Sequence, residues 1–505
     1  MNKKILLINP SYKQTTTSKS VLRYEPPVGL LNLASFLNRK GYDCDIVNTA
    51  FEEIKWDKIR EGDYFLVGFT VFIGEFMKNA KNISAKIKKI NSSVHICFGG
   101  VMASLSPEMM LKEYDIDFVI RYEGEYTLFE LAQFLNGKGT LAEIKGLSYK
   151  EENVVNNNPP RFLENDLDNF PIPNWGLFGD KCNQKQIPYY FRIMSSKGCP
   201  FSCSFCYSHS VDKEIRDKSP RWRSRSAKHI IAEIKSIHHS TKTRVYTFGD
   251  DNFLVKKDRA LEILGYMKEN NFYIEQCVAH MNNITDEITE AMGGVVQTVI
   301  YAIESASPRL LKLLNKNLDL NKIPKTNKKL FDKGITTTHN FIVGLPTETD
   351  KDLRQNVELM MHLKEINPYV RALNYLYLPL PFTPLSSYIE DEMGLVLPHD
   401  LKYYEDACFD SGKSEGMKFR PWLSKERYDF LHSYCRIFDD AFQINNMNLS
   451  PESLRLLGDN PKLREIFNGI ENVNHPKISY RPYVLDRVLE NEEIDLLNDL
   501  KKLVK

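Results

Sequence analysis

The chain has 505 residues, of which 42% are apolar and 26% charged, so it can build several cores and is too apolar to stay disordered. Sixty-seven basic against 66 acidic residues leave a formal net charge of +1, which excludes a dominant polyanion-binding surface. No apolar run reaches 18 residues, so no membrane span is expected, and nine unevenly placed cysteines do not make a secreted disulfide framework.

In chain order, "KKILLINPSY" is read as a first strand ending at Asn9-Pro10 rather than as a signal peptide, and a cytoplasmic location is expected. A helix follows Pro26-Pro27, with Leu30, Leu33, Ala34 and Leu37 on one face and Gly41 closing it. "CDIVNT", "YFLVGFTV", "HICFGG" and "IDFVIRYEGE" are further strands, and an amphipathic helix runs from about Phe76 to Ile90. Buried strands alternating with helices predict a parallel, Rossmann-like α/β sheet. Ligands of such sheets bind beyond the C-terminal strand ends. The lining there is Asn9, Thr70, Gly99, Gly100, Glu123 and Glu125, although an α/β domain without a ligand would also carry glycines at its strand ends. The Asn- and Pro-rich stretch up to about residue 175 predicts a small hairpin and then an extended connector.

The next segment, "SSKGCPFSCSFCYSHS", spaces Cys199, Cys203 and Cys206 as C-x3-C-x2-C. Three thiolates so placed can ligate three irons of a [4Fe-4S] cube and leave the fourth open to a small molecule. A closed zinc site completed by His209 is the rival reading, and three unconnected buried thiols the bland one. Strands near 191–196, 243–248, 274–279, 298–304, 337–343 and 371–377 alternate with helices at 227–240, 258–270 and 350–364. They predict six βα units, an incomplete barrel whose active face is the C-terminal strand end. Ser226, and Thr349 or Asp350, are the expected helix caps. "DKEIRDKSPRWRSRSAKH" is read as a solvated loop in preference to a grip for a carboxylate or phosphate. Apart from Trp222, its Arg221, Arg223 and Arg225 lack interleaved aromatics, so no nucleic-acid partner is expected. Past Pro379, Pro381 and Pro384, helices at about 399–409, 424–445, 450–457 and 461–468, with one more at the C-terminus, predict a helical cap.

Taken together these segments resemble the radical S-adenosylmethionine (SAM) enzymes. The resemblance rests on the cysteine spacing with Phe205 before its last member, on "VYTFGDDNFL", "YIEQCVAHMNNIT" and "TVIYAIESAS", and on "TTTHNFIVGLPTET". Residues 3–175 resemble the cobalamin-binding domain and connector of the B12-binding subgroup. They depart from many cobalamin proteins in having no histidine between Ile8 and Val28, and from relatives in reading Gly99-Gly100-Val101-Met102 after the fourth strand. The resemblance implies an α/β protein: a cobalamin-binding Rossmann-like domain over 1–150, a linker over 151–188, a partial (β/α)6 TIM barrel forming the radical SAM core over 189–385, and a helical C-terminal cap over 386–505. It implies a [4Fe-4S] cluster on Cys199, Cys203 and Cys206. SAM would be held by Phe205, Asp250, His280, Glu304, Ser305, Gly344 and Pro346, and cobalamin, as methylcobalamin, by the strand-end lining of the first domain. The implied activity is C-methylation of an unactivated carbon in a small metabolite, natural-product intermediate or lipid through a 5′-deoxyadenosyl radical, with an electron donor such as flavodoxin or ferredoxin. The alternative is cyclisation, rearrangement or C–C bond formation without methyl transfer, with cobalamin non-methylating or absent. Replacing Glu304 by Gln is expected to weaken SAM binding without moving the melting temperature.

Overall fold

A computed structural model describes residues 4–11, 26–178, 191–209, 213–398, 400–407, 414–442 and 449–470. The loop at 12–25, which contains no histidine, and the helix expected at the C-terminus lie outside the described residues. The chain groups into two compact units: Met1–Arg192 with Phe205–Thr241 and Leu378–Cys408, and Ile193–Ser204 with Lys242–Tyr377 and Phe409–Lys505.

The first unit is built on a seven-stranded sheet in the order β2-β1-β3-β4-β5-β6-β7. Strands β1 (Lys4–Asn9), β2 (Asp43–Asn48), β3 (Leu66–Thr70), β4 (His95–Gly99) and β5 (Phe118–Ile120) run parallel. Strands β6 (Leu147–Glu151) and β7 (Val154–Asn157) are antiparallel, so the hairpin expected at the start of the connector serves as the edge of this sheet. Ile5, Leu6, Leu7, Ile8, Val67, Ile96 and Phe98 are buried, as apolar runs in a parallel sheet covered on both faces should be. The helix Glu75–Ile90 buries Met77, Ala80, Ser84 and Ile87, one stripe at helical spacing. Its N-cap, Gly74, has φ +75 and gives its N–H to Tyr404 O at 2.8 Å, and a Cβ there would stand 2.4 Å from Ala407 O. Nearby, Glu405 accepts from Tyr114 Oη at 2.7 Å and Lys81 Nζ at 2.9 Å. These contacts bind the segment Leu401–Asp406 into this unit.

The basic stretch is not the solvated loop expected from composition. Arg223 and Arg225 are 6% and 8% exposed. Arg223 pairs with Glu123 at 2.8 Å and donates to Glu164 O at 2.8 Å. Arg225 pairs with Glu233 at 2.5 Å, and Trp175 Nε1 donates to the same carboxylate at 2.8 Å. Alternating arginines look solvated in sequence, and what buries them is acidic partners supplied by distant segments. Neither guanidinium is free to grip a substrate anion. Ser226 caps the helix Ala227–Thr241 by accepting from His229 N at 3.1 Å.

The second unit is built on a six-stranded sheet whose strands follow chain order: Arg192–Ile193, Val245–Phe248, Tyr273–Val278, Val296–Ile300, Thr336–Val343 and Arg371–Leu376. The last five are paired parallel. This is the open barrel expected from the alternation of strands and helices. The helix Asp350–Ile366 starts with a capping box in which Thr349 and Asp352 satisfy each other's backbone N–H. The helix Lys425–Ala441 covers the last strand and buries Tyr428, Leu431, Tyr434 and Phe438, one stripe at helical spacing. Phe438 meets Phe341 edge-on at 5.4 Å, and each such side chain contributes about 1.5–3 kcal/mol on burial. Among the described residues no helix is long and apolar enough to cross a membrane.

Candidate active site

The three-cysteine loop follows the short strand Ser196–Gly198, whose last residue has φ +80 and turns the chain just before Cys199. Cys199 and Cys203 belong to the second unit, and Cys206 lies in the next stretch of the first. Within the second unit, Ser204 N donates to Leu314 O and Ser204 Oγ to Leu313 O, both at 2.9 Å, and Asn315 Nδ2 donates to Ser202 O at 2.6 Å. The end of the helix Pro308–Leu313 thus moors the loop by three hydrogen bonds. Cys206 Sγ lies 3.1 Å from Ser208 Oγ, and Phe205 is half-buried. None of the three cysteines is in a disulfide.

The same mooring segment carries Lys316, which the sequence reading did not single out. Its ammonium is 3.3 Å from Glu304 Oε1, with both side chains under 10% exposed. Burial pushes the Glu304 carboxyl up, and Lys316 opposes it. Burial lowers Lys316 in turn, but Glu304, followed by Cys203 and Cys199, holds it above its ordinary value. Lys316 is therefore a charged ammonium within electrostatic reach of a carboxylate and two cluster-loop thiols. Glu304 itself has φ +67, a strained conformation for a residue with a Cβ, imposed by its bridge to Phe341.

His280 also meets the loop. Its ring stacks on Phe201, centroids 3.7 Å apart and 16° from parallel. Asn252 Oδ1 accepts from His280 N at 3.3 Å and so fixes its backbone. Burial, with Lys316 adding, pushes its imidazole down to about 4. Asp250 has a different place: it is 1% exposed, accepts from Ser195 Oγ at 2.9 Å, and also binds Ser196 Oγ. Its carboxylate is committed to the strand end that launches the cysteine loop.

The turn after the strand Thr336–Val343 is held from several sides. Gly344 has φ +72, and a Cβ there would meet Leu376 at 3.2 Å and Leu431 at 3.3 Å. Its N–H donates to Glu348 Oε2 at 2.7 Å, and its carbonyl accepts from Trp422 Nε1 at 2.9 Å. Arg309 grips Thr347 through Oγ1 at 2.8 Å and O at 2.9 Å. Burial pushes the Glu348 carboxyl up to about 8. Pro346 is buried, and Ser305 is fully buried, its hydroxyl accepting from Ser307 N at 3.1 Å. The second unit thus gathers Cys199, Cys203, His280, Glu304 and Lys316, while Asp250, Ser305 and the Gly344 turn act as their supports. Lys316, Glu348 and Trp422 left no signal of their own, because their meaning comes from partners distant in sequence.

In the first unit Asn9, Thr70 and Gly99 are each the last residue of a parallel strand, and with Gly100 they form a partly exposed rim of small neutral groups. Gly100 is required by its own backbone, with φ +93 and a Cβ that would stand 2.9 Å from Val71 O, so it is not by itself a sign of a ligand. Glu123 is engaged by Arg223 and by Glu164 N, and Glu125 is buried at the start of the helix Glu125–Leu135. His95 begins β4 and so sits at the opposite edge of the sheet from Gly99.

Comparison with known proteins agrees with this arrangement. Residues 193–360 match the radical SAM superfamily, and residues 16–132 match the B12 binding domain. An uncharacterised methyltransferase of Pyrococcus horikoshii is 32% identical over 371 residues, 71% of this chain and 78% of that protein. The chain belongs to the B12-binding radical SAM enzymes. An anaerobic magnesium-protoporphyrin IX monomethyl ester cyclase of Rubrivivax gelatinosus is 24% identical over 77% of this chain and 70% of its own. The fold also matches the radical SAM methyltransferase TsrM of Kitasatospora setae, solved with tryptophan substrate and a SAM analogue. That match has a TM-score of 0.68 at 16% identity and covers 97% of this chain and 99% of TsrM.

The residues present fit the cofactors that this radical SAM family implies. Cys199 and Cys203 on a moored loop within electrostatic reach of a charged lysine, with Cys206 three residues further along the chain and none of them in a disulfide, are the donor chemistry of an iron–sulfur cluster that takes one thiolate at each of three irons. The partly exposed rim of small neutral groups at Asn9, Thr70 and Gly99, at the C-terminal ends of the parallel strands, suits a large ring system.

Proposed function

We propose that this B12-binding radical SAM enzyme is a C-methyltransferase acting on an unactivated carbon of a small metabolite, natural-product intermediate or lipid. Its division of labour follows the chain: residues 1–150 hold cobalamin as methylcobalamin, 151–188 link, 189–385 run the radical chemistry and 386–505 cap it. Cys199, Cys203 and Cys206 hold the [4Fe-4S] cluster, and Asn9, Thr70, Gly99 and Gly100 take the cobalamin. When bound, the cluster supplies the electron that cleaves SAM, and the cobalamin carries the methyl group.

The observation that carries this reading is the buried Glu304–Lys316 pair beside Cys199 and Cys203. A zwitterionic amino-acid group needs an anion for its ammonium and a cation for its carboxylate, and this pair presents both at the cluster loop. The pair orients SAM, the Gly344 turn holds its nucleoside, and the low-dielectric surroundings exclude water from the reacting centre. Phe205 and Pro346 add apolar walls. The likeness to a relative named as a methyltransferase favours methyl transfer. The magnesium-protoporphyrin ester cyclase likeness keeps ring closure as the second reading. Electrons come from a small carrier such as flavodoxin or ferredoxin, in the cytoplasm.

The test uses anaerobically reconstituted enzyme, a chemical reductant and SAM bearing a deuterated methyl group, incubated with candidate substrates. A product heavier by the labelled methyl, formed together with 5′-deoxyadenosine, is expected. A product of unchanged carbon count formed with 5′-deoxyadenosine would move the assignment to cyclisation or rearrangement.

A further inference from the structure

His280 carries an unused hydrogen-bond donor. Its Nδ1 accepts from the backbone N–H of Asn282 at 3.3 Å, in the cap of the short turn Met281–Asn283. An imidazole that accepts at Nδ1 must, when neutral, carry its proton on Nε2. The low proton affinity of this buried ring keeps it neutral at ordinary pH. Nε2–H is enclosed and has no acceptor among the described residues, while the residue is 8% exposed. An enclosed donor without a partner is costly to keep, and beside the cysteine loop it points to an acceptor that arrives with a ligand.

The surroundings say what kind of acceptor. The ring lies flat against Phe201, the residue midway between Cys199 and Cys203. Lys316 acts electrostatically on His280 as well as on both cysteines and Glu304. A donor N–H and a neighbouring ammonium select an anionic acceptor. Resting on the function proposed above, we propose that His280 Nε2–H donates a hydrogen bond to an anionic acceptor bound at the cysteine loop, either a sulfur of the cluster or the carboxylate of SAM. His280 is then a positioning and tuning residue: the ring is locked by Phe201, Asn252 and Asn282 so that a single N–H is presented in one direction.

The two acceptors are separated by experiment. The variant His280→Phe keeps an aromatic ring for the stack on Phe201 and removes the donor. If a cluster sulfur is the acceptor, the midpoint potential of the reconstituted cluster without SAM moves to a more negative value in the variant, because a hydrogen bond to sulfur stabilises the more negative reduced state. If the SAM carboxylate is the acceptor, that potential is unchanged and the dissociation constant of SAM rises about threefold to tenfold, the loss of one hydrogen bond. A measurement on the unmodified enzyme guards against a folding defect: pulsed electron–nuclear double resonance of the reduced cluster, with and without SAM, in water and deuterium oxide, with histidine labelled by nitrogen-15. An exchangeable proton coupled to a histidine nitrogen near the cluster or its ligand supports the proposal. Full iron and sulfide content with an unchanged potential, unchanged SAM affinity and no histidine coupling overturns it alone. Failure to assemble any cluster would sink the functional reading and this inference together.

Discussion

The two sheets end their strands in opposite ways. At the C-terminal edge of the first, the rim is small and neutral, and the nearby charges are spent on each other, as in Glu123 with Arg223. At the second, the edge concentrates cost: a buried ion pair, a left-handed Glu304, a neutral histidine with an orphan donor and a carboxyl raised by burial. One edge offers small neutral groups and the other charge held out of water. Buried charge is found in both units, but only at the second does it stand at the cysteine loop with an orphan donor beside it, the kind of fixed electrostatics a reaction needs.

Substitutions should therefore be severe in the barrel and mild on the first sheet. The largest effect is expected from replacing Cys199, Cys203 or Cys206 by Ala, which should abolish SAM cleavage and lose or damage the cluster. Iron and sulfide content and 5′-deoxyadenosine formation measure it, and a triple variant with full content and activity would refute the assignment. Next comes Glu304→Gln. The structure revises the expectation of an unchanged melting temperature, because the change strands a buried Lys316 ammonium. A loss of about 3–5 kcal/mol is expected by denaturant titration. Glu304→Gln with Lys316→Met should recover much of that stability but not SAM affinity, and recovery of both would return the pair to a packing role.

Glu348 gives a pH signature. Its folded proton affinity lies above the unfolded one, so the native state keeps a proton that the unfolded state releases. Stability should fall as pH rises from about 4.5 to about 8 and then level off. Glu348→Gln should flatten that slope, and an unchanged slope would show that the carboxyl is solvated. Gly344→Ala should cost about 1–2 kcal/mol for the left-handed backbone and weaken SAM binding. Normal affinity in a destabilised variant would separate the turn from the nucleoside site.

The first sheet should show the smallest effects. Thr70→Val at its rim should change hydroxocobalamin affinity only a few-fold and leave stability within about 0.5 kcal/mol. With no histidine between Ile8 and Val28 and His95 at the far edge, cob(II)alamin bound there should show no nitrogen splitting from a protein ligand in its EPR spectrum. Clear splitting would mean that a histidine from another segment reaches cobalt.

Much of the fold was legible in the chain itself. The apolar runs, the helical stripe Tyr428, Leu431, Tyr434 and Phe438, and the caps at Ser226 and Thr349 are local patterns with local causes. The choice between Thr349 and Asp350 as cap needed coordinates, because both side chains can accept and only backbone direction decides. The basic stretch was misread for a related reason: charge is visible in sequence, but its burial depends on partners such as Glu123 and Glu233. The rim at Asn9, Thr70 and Gly99 followed from strand ends alone, whereas the reason for Gly100 turned out to be its contact with Val71.

By itself the sequence determined the alternation of strands and helices, the C-x3-C-x2-C donor set and the order of the strand-end motifs, because each depends on residues within a few positions of one another. Only the tertiary structure decided which charges meet. Lys316 beside Glu304 and the cysteines, Phe201 flat on His280, Trp422 on the Gly344 carbonyl and Asp250 on the two serines are contacts between segments far apart in the chain. Burial turns those meetings into chemistry. Removing water strengthens a paired charge, neutralises an unpaired imidazole and leaves a lone N–H seeking an acceptor, and none of these is a property of a residue before the chain has folded around it.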